Sequence, residues 1–75
     1  MGRTSLSDEQ FHRALEQVRG FLLANQSISN SGLRALTGLN YDQGIKFFKI
    51  AVESGELERR GRASGTHYVL RRADP

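Results

Sequence analysis

The chain contains no cysteine. A disulfide framework and a thiolate zinc site are therefore excluded, and the fold must be held by helix and sheet packing alone. No apolar run approaches the roughly 20 residues needed to cross a bilayer. The opening residues, Met1-Gly2-Arg3-Thr4-Ser5, lack the apolar stretch of a secretory signal. Repeats, low-complexity tracts and long linkers are missing as well. There is no glycine-rich phosphate loop, no cysteine nucleophile and no carboxylate pair of recognisable spacing. His12 and His67 have no other metal-ligating residues in context. These absences lead to the expectation of a soluble, cytoplasmic, non-enzymatic chain that takes no cofactor, metal or small-molecule substrate and does not enter a membrane.

What remains is a single short domain. At 75 residues, a chain buries only about 60% of its unfolded surface, so each large apolar residue counts. Residues 1–6 are expected to be a flexible leader, 7–72 the domain and 73–75 a flexible tail. Whether the chain is a whole protein or part of a larger one is open. The net charge of +3 is unevenly spread. Residues 1–58 hold six basic and seven acidic side chains, whereas residues 59–75 hold Arg59, Arg60, Arg62, Arg71 and Arg72 against Asp74 alone. A basic C-terminal element on a nearly neutral body points to a localised anionic partner; the plainer reading is a solvated arginine-rich hairpin.

Three helices and a hairpin can be placed from capping residues and periodicity. Ser7-Asp8-Glu9-Gln10 has the capping-box pattern, with two acids where the helix dipole favours them. Phe11, Ala14, Leu15, Val18, Phe21 and Leu22 then recur on one stripe, with Gly20 opposite, until Asn25-Gln26-Ser27 ends the run. Ser27-Ile28-Ser29 is long enough only for an edge strand or a connector. Ser29 caps a second helix from Asn30 to about Leu36, without the acidic partner of a full box because Gly32 stands there. Asn40 and Gln43 form the box of a third helix that runs to about Ser54 and stops at Gly55. Its periodicity groups Gly44, Phe48, Ala51 and Val52, flanked by Tyr41, Ile45 and Phe47, against Asp42, Lys46, Lys49 and Glu53. Residues 56–60 and 66–72 read as strands around the turn-rich Gly61-Arg62-Ala63-Ser64-Gly65.

The Thr37-Gly38-Leu39-Asn40 connection between the second and third helices is that of a helix-turn-helix. With Ile28-Ser29-Asn30-Ser31-Gly32-Leu33-Arg34, Leu36-Thr37-Gly38-Leu39, Glu53-Ser54-Gly55-Glu56-Leu57-Glu58-Arg59, Gly61-Arg62 and Gly65-Thr66-His67-Tyr68-Val69-Leu70, it makes residues 28–70 resemble the winged-helix domains. Such domains occur as small bacterial regulators and as C-terminal parts of larger proteins. The resemblance implies an α+β winged helix-turn-helix. It would be a three-helix bundle followed by a two-stranded β-hairpin wing, with a short third strand near residue 28 left open.

It also implies a docking mode on double-stranded DNA: the third helix, residues 40–54, in the major groove, and the wing, residues 59–67, on the backbone or minor groove. The residues suit that mode. Lys46 and Lys49 have the reach to pair with phosphate or a guanine edge, or they form a charge-mixed solvent face with Asp42 and Glu53. Asn40 and Gln43 either read adenine or serve only as caps. Tyr41 is a phosphate donor or a core-edge aromatic. Arg59, Arg60 and Arg62 suit phosphate or a narrow minor groove. His67 is a phosphate contact or a plain strand-surface residue. Phe47 and Phe48 are expected in the core. Asp42 departs from the family, where arginine or a small polar residue is more usual, and this moves the expected affinity toward the wing. The leading expectation is DNA binding in transcription regulation or DNA tethering. A protein-interaction or dimerisation module, as a homodimer or with parent-protein domains, comes second, and structured RNA is a lesser third.

Overall fold

The structure, a computed structural model, describes residues 5–71. It runs α1 (Asp8–Ala24), α2 (Asn30–Thr37), α3 (Tyr41–Glu53), β1 (Leu57–Arg60), a single 3₁₀ turn (Ala63–Gly65) and β2 (His67–Leu70). This is an α+β winged-helix layout of three helices and an antiparallel hairpin. Most of the leader expected at residues 1–6, and the whole tail at 73–75, lie outside the described residues. Leu6, at the inner end of that leader, packs against the core.

Local side-chain chemistry starts each helix. Ser7 and Gln10 exchange the two hydrogen bonds of a capping box at the head of α1, at 3.1 and 2.9 Å. Asn40 and Gln43 do the same for α3, at 2.7 and 3.0 Å. Ser29 accepts from the Gly32 N–H at 3.2 Å, the single bond left to α2. The ends are equally local. The left-handed Gly38 closes α2, its N–H donating to the Arg34 carbonyl at 2.9 Å. Beyond α3, the N–H of Gly55 bonds Val52 and that of Glu56 bonds Ala51, the paired bonds of a Schellman motif. The Glu56 N–H is thereby spent on the helix end while its carbonyl still accepts from the Arg71 N–H at 3.3 Å, and β1 begins at Leu57 rather than at Glu56 as the sequence suggests. Thr66 likewise bonds back to the Ala63 carbonyl through both its N–H and its hydroxyl, which delays β2 to His67.

The core gathers Ala14, Leu15, Val18 and Leu22 of α1, Ile28, Leu33 of α2, Phe47, Phe48 and Ala51 of α3, and Leu57 of β1. Burying each of the larger members contributes about 1.5–3 kcal/mol. Four aromatic rings cross the domain in contact: Phe11 on Phe47 at 5.2 Å, Phe47 on Phe48 at 5.4 Å, and Phe48 on Tyr68 at 3.8 Å between centroids. They tie α1 through α3 to the wing. Gly44 is the crossing point of α2 and α3. A Cβ there would stand 2.8 Å from the Asn30 amide nitrogen and 3.4 Å from a Leu33 methyl, so a larger residue has to push the Asn30 side chain aside.

The buried arc of α3 differs from the expected one. Phe47, at one edge of an arc centred on Gly44 and Ala51, is fully buried, whereas Tyr41 and Ile45 are 56% and 50% exposed and Val52 is half-buried. Helix periodicity ranks these apolar positions alike; α1 packs over the Phe47 side, and no element covers the Tyr41–Ile45 edge.

In the hairpin Leu57 pairs with Leu70, Glu58 with Val69, Arg59 with Tyr68 and Arg60 with His67. Ile28 adds one antiparallel bridge to Tyr68, through backbone bonds of 2.9 and 2.8 Å. The short stretch after α1 is thus a one-residue third strand on the outer edge of β2.

Candidate nucleic-acid interface

An open groove of about 370 Å³ lies between α3 and the wing. Tyr41, Ile45 and Phe48 form one wall, Ala63, Thr66 and Tyr68 the other, and Ser29, Asn30 and Ser31 at the start of α2 close one end. No carboxylate lines it.

Cations stand beside this groove, though none lines it. Lys46 and Lys49 lie about 100° and 40° around the helix from Ile45, and both are exposed. Asp42 and Glu53 are each one turn from a lysine, yet neither lysine has an ion pair among the described residues; those pairs are Arg13–Glu9, Arg19–Glu56 and Arg60–Glu58. Arg34 of α2 lies over the Tyr41 ring, its guanidinium carbon 5.5 Å from the centroid. Its Nε donates to Asn30 Oδ1 at 2.8 Å, which holds the arginine in place. Arg34 lies outside the residues that the sequence points to for this surface. The signal available was a lone cation on a short helix, four residues after an asparagine that can hold it.

The wing arginines do not act as one cluster. Side chains alternate along a strand, and Leu57 points into the core, so Arg59 shares the face of Tyr68 toward α3. Arg60 takes the other face with Glu58, His67 and Val69. There it meets the Glu58 carboxylate at 3.4 Å, in a depression it shares with the C-terminal end of α1. Arg62 is exposed in the connector, beside the groove residue Ala63. The His67 ring is turned to the loop, with Nδ1 2.8 Å from the Gly65 carbonyl oxygen.

The two capping amides also separate from the lysines. Both ends of the Gln43 side chain are engaged: Oε1 accepts from the Asn40 N–H, and Nε2 donates to the Ser5 carbonyl at 3.1 Å. Gln43 faces the depression between α1 and the α2–α3 turn. Asn40 is exposed at the head of α3, with its Oδ1 in the cap. Of the nine candidate residues, Tyr41 lines the groove; Lys49 and Lys46 follow Ile45 round α3, Arg59 shares the face of Tyr68, Arg62 adjoins Ala63, and Arg34 joins through the Tyr41 ring. Arg60, Gln43 and His67 are turned elsewhere, and Asn40 sits at the margin.

The loop that carries Arg62 has a strict backbone requirement. Gly61 has φ of +76°, and a Cβ on it would collide with the Gly65 carbonyl oxygen. Ala63 is held at φ of +52°. No helix among the described residues is long and apolar enough to cross a membrane. No protein-family model, curated protein or solved structure matches the chain.

Proposed function

We propose that this chain is a winged-helix module that binds double-stranded DNA, with α3 in the major groove and the wing against the adjoining backbone or minor groove. The observation that carries this reading is the pair Lys46 and Lys49, exposed on α3 and free of any ion pair among the described residues although Asp42 and Glu53 are one turn away. Arg34, Arg59 and Arg62 extend the same charge around a groove without a carboxylate lining. The major groove admits a helix, and most contacts to a duplex go to phosphate. The role suited to such a module is transcription regulation or DNA tethering in a bacterial cytoplasm.

Fluorescence anisotropy on a labelled duplex across a salt series tests this. Five cations reaching phosphate give a slope of about −4.5 in log K against log salt, a loss of roughly 500-fold between 50 and 200 mM. Affinity is expected in the micromolar range, since one small module buries little surface. Lys46→Ala with Lys49→Ala should flatten the slope to about −2.7. A folded protein with no salt-dependent binding to any duplex would overturn the proposal.

A protein-interaction role is favoured by one observation on the opposite side. Leu23 is 83% exposed, next to the depression formed with Val69 and Leu70 behind the wing. A homodimer or a parent-protein domain seated there leaves the α3 face open to DNA. Sedimentation velocity of the wild type against Leu23→Ser tests for it: a concentration-dependent dimer that the variant loses supports the contact, and a wild-type monomer at every concentration removes the homodimer.

A further inference from the structure

Ile45 is out of place for a purely electrostatic surface. It is a branched aliphatic side chain, 50% exposed, on the outward arc of α3, with Lys49 and Lys46 about 40° and 100° round the helix on one side of it. The core does not use it; Gly44, Phe47, Phe48 and Ala51 fill that face of the helix. One turn earlier Tyr41 is 56% exposed, and together they make an apolar wall facing the hydroxyls and amide of Ser29, Asn30, Ser31 and Thr66. A patch meant for an apolar protein partner would not have Arg34, Lys46, Lys49 and Arg62 near it against Asp42 alone, and this balance of charge calls for an anionic ligand with an apolar feature of its own.

Duplex DNA has one such feature on its major-groove base edges, the methyl group on C5 of thymine. A methyl on C5 of a modified cytosine occupies the same edge. We infer that Ile45 reads a pyrimidine C5-methyl group, while Lys49 and Lys46, on one flank of it, pair with phosphate. This rests on the DNA-binding reading above and adds a base preference to it. Isoleucine suits the task because its χ1 is nearly fixed in a helix, so little freedom is lost when it is buried against a methyl. Removing one methyl from water on contact is worth roughly three- to fivefold in affinity.

The test uses four 24-base-pair duplexes: alternating A and T, the same with uracil for thymine, alternating G and C, and the same with 5-methylcytosine. Alternating sequences offer a methyl in every register, so the natural target need not be known. Anisotropy titrations at 50 mM salt compare wild type with Ile45→Ala and with Ile45→Thr, which keeps the branch but not the apolar end. Circular dichroism verifies that the variants stay helical. The expected result is that uracil weakens the wild type three- to fivefold per methyl contacted, and that Ile45→Ala abolishes the difference. The pair of duplexes in which the difference appears names the base, thymine or methylated cytosine. Wild type indifferent to the methyl in both pairs overturns the inference. So does discrimination that survives unchanged in Ile45→Ala, since that belongs to DNA shape and not to this side chain. Failure to bind all four duplexes removes the DNA reading itself and is told apart by that.

Discussion

The ring of Tyr68 lies flat on the ring of Phe48, with centroids 3.8 Å apart and planes 5° from parallel. This contact fastens the wing to α3, the helix that carries the lysines. The backbone of Tyr68 adds two bonds to Ile28 on the other edge. One residue therefore sets the position of the hairpin against both the helix bundle and the third strand.

Tyr68→Ala is expected to destabilise the domain by about 2–4 kcal/mol, combining lost burial with a lost stacked pair. Tyr68→Phe should stay within about 0.5 kcal/mol, because the ring is kept and the described residues offer its hydroxyl no hydrogen bond. Urea denaturation midpoints measure both. A Tyr68→Phe loss as large as that of the alanine variant would place the stability in the hydroxyl and contradict the stacking account.

Gly61→Ala should disturb the wing and spare the bundle. Its Cβ has to displace the Gly65 carbonyl, and its backbone has to hold a left-handed φ of +76°. The cost is roughly 1–3 kcal/mol, confined to the loop bearing Arg62. Amide chemical shifts of residues 59–67 are expected to move while those of α1 do not. Duplex affinity should fall with them, and unchanged wing shifts would contradict the strain argument.

Arg59 and Arg60 are adjacent in sequence but stand on opposite faces of β1. Arg59→Ala is expected to weaken duplex binding several-fold and to reduce the salt slope by about 0.9. Arg60→Ala should change neither by more than a small margin, because its partner is Glu58 and its face is turned to the end of α1. Equal losses from the two variants in anisotropy titrations would show that DNA meets both faces of the wing.

Gly20→Ala is expected to stabilise the domain by about 0.5–1 kcal/mol. A Cβ at this exposed position of α1 meets nothing within 4 Å, so only the helix-propensity gain remains. Thermal and urea unfolding measure the gain, and a destabilised variant would mean that this face of α1 is covered in solution.

Much of the fold was legible because its signals are local. A capping box needs two residues three apart, so Ser7 with Gln10 and Asn40 with Gln43 announce their helices whatever the rest of the chain does. Phe48, Ala51 and the α1 stripe were recognisable as core because periodicity alone puts them on one side, whereas the same pattern set Phe47 only at the flank with Tyr41 and Ile45. The split between Arg59 and Arg60 was within reach as well, since Leu57, two residues before Arg59, had to face inward.

Other features arise only between elements distant in the chain. The amides of Asn40 and Gln43 suit base reading as well as capping, and the Ser5 carbonyl that occupies Gln43 lies 38 residues away. Tyr41 and Ile45 have the same apolar character and spacing as buried residues, and their exposure follows from where α1 and the wing stop covering α3. Arg34 joins the surface through the aromatic face of Tyr41, which no spacing rule connects to it. Hydrogen bonds three or four residues apart and helical periodicity belong to the sequence itself. Which apolar side chain is left uncovered, and which cations share one groove, are decided only when separate elements pack together, because those contacts join residues the chain does not place side by side.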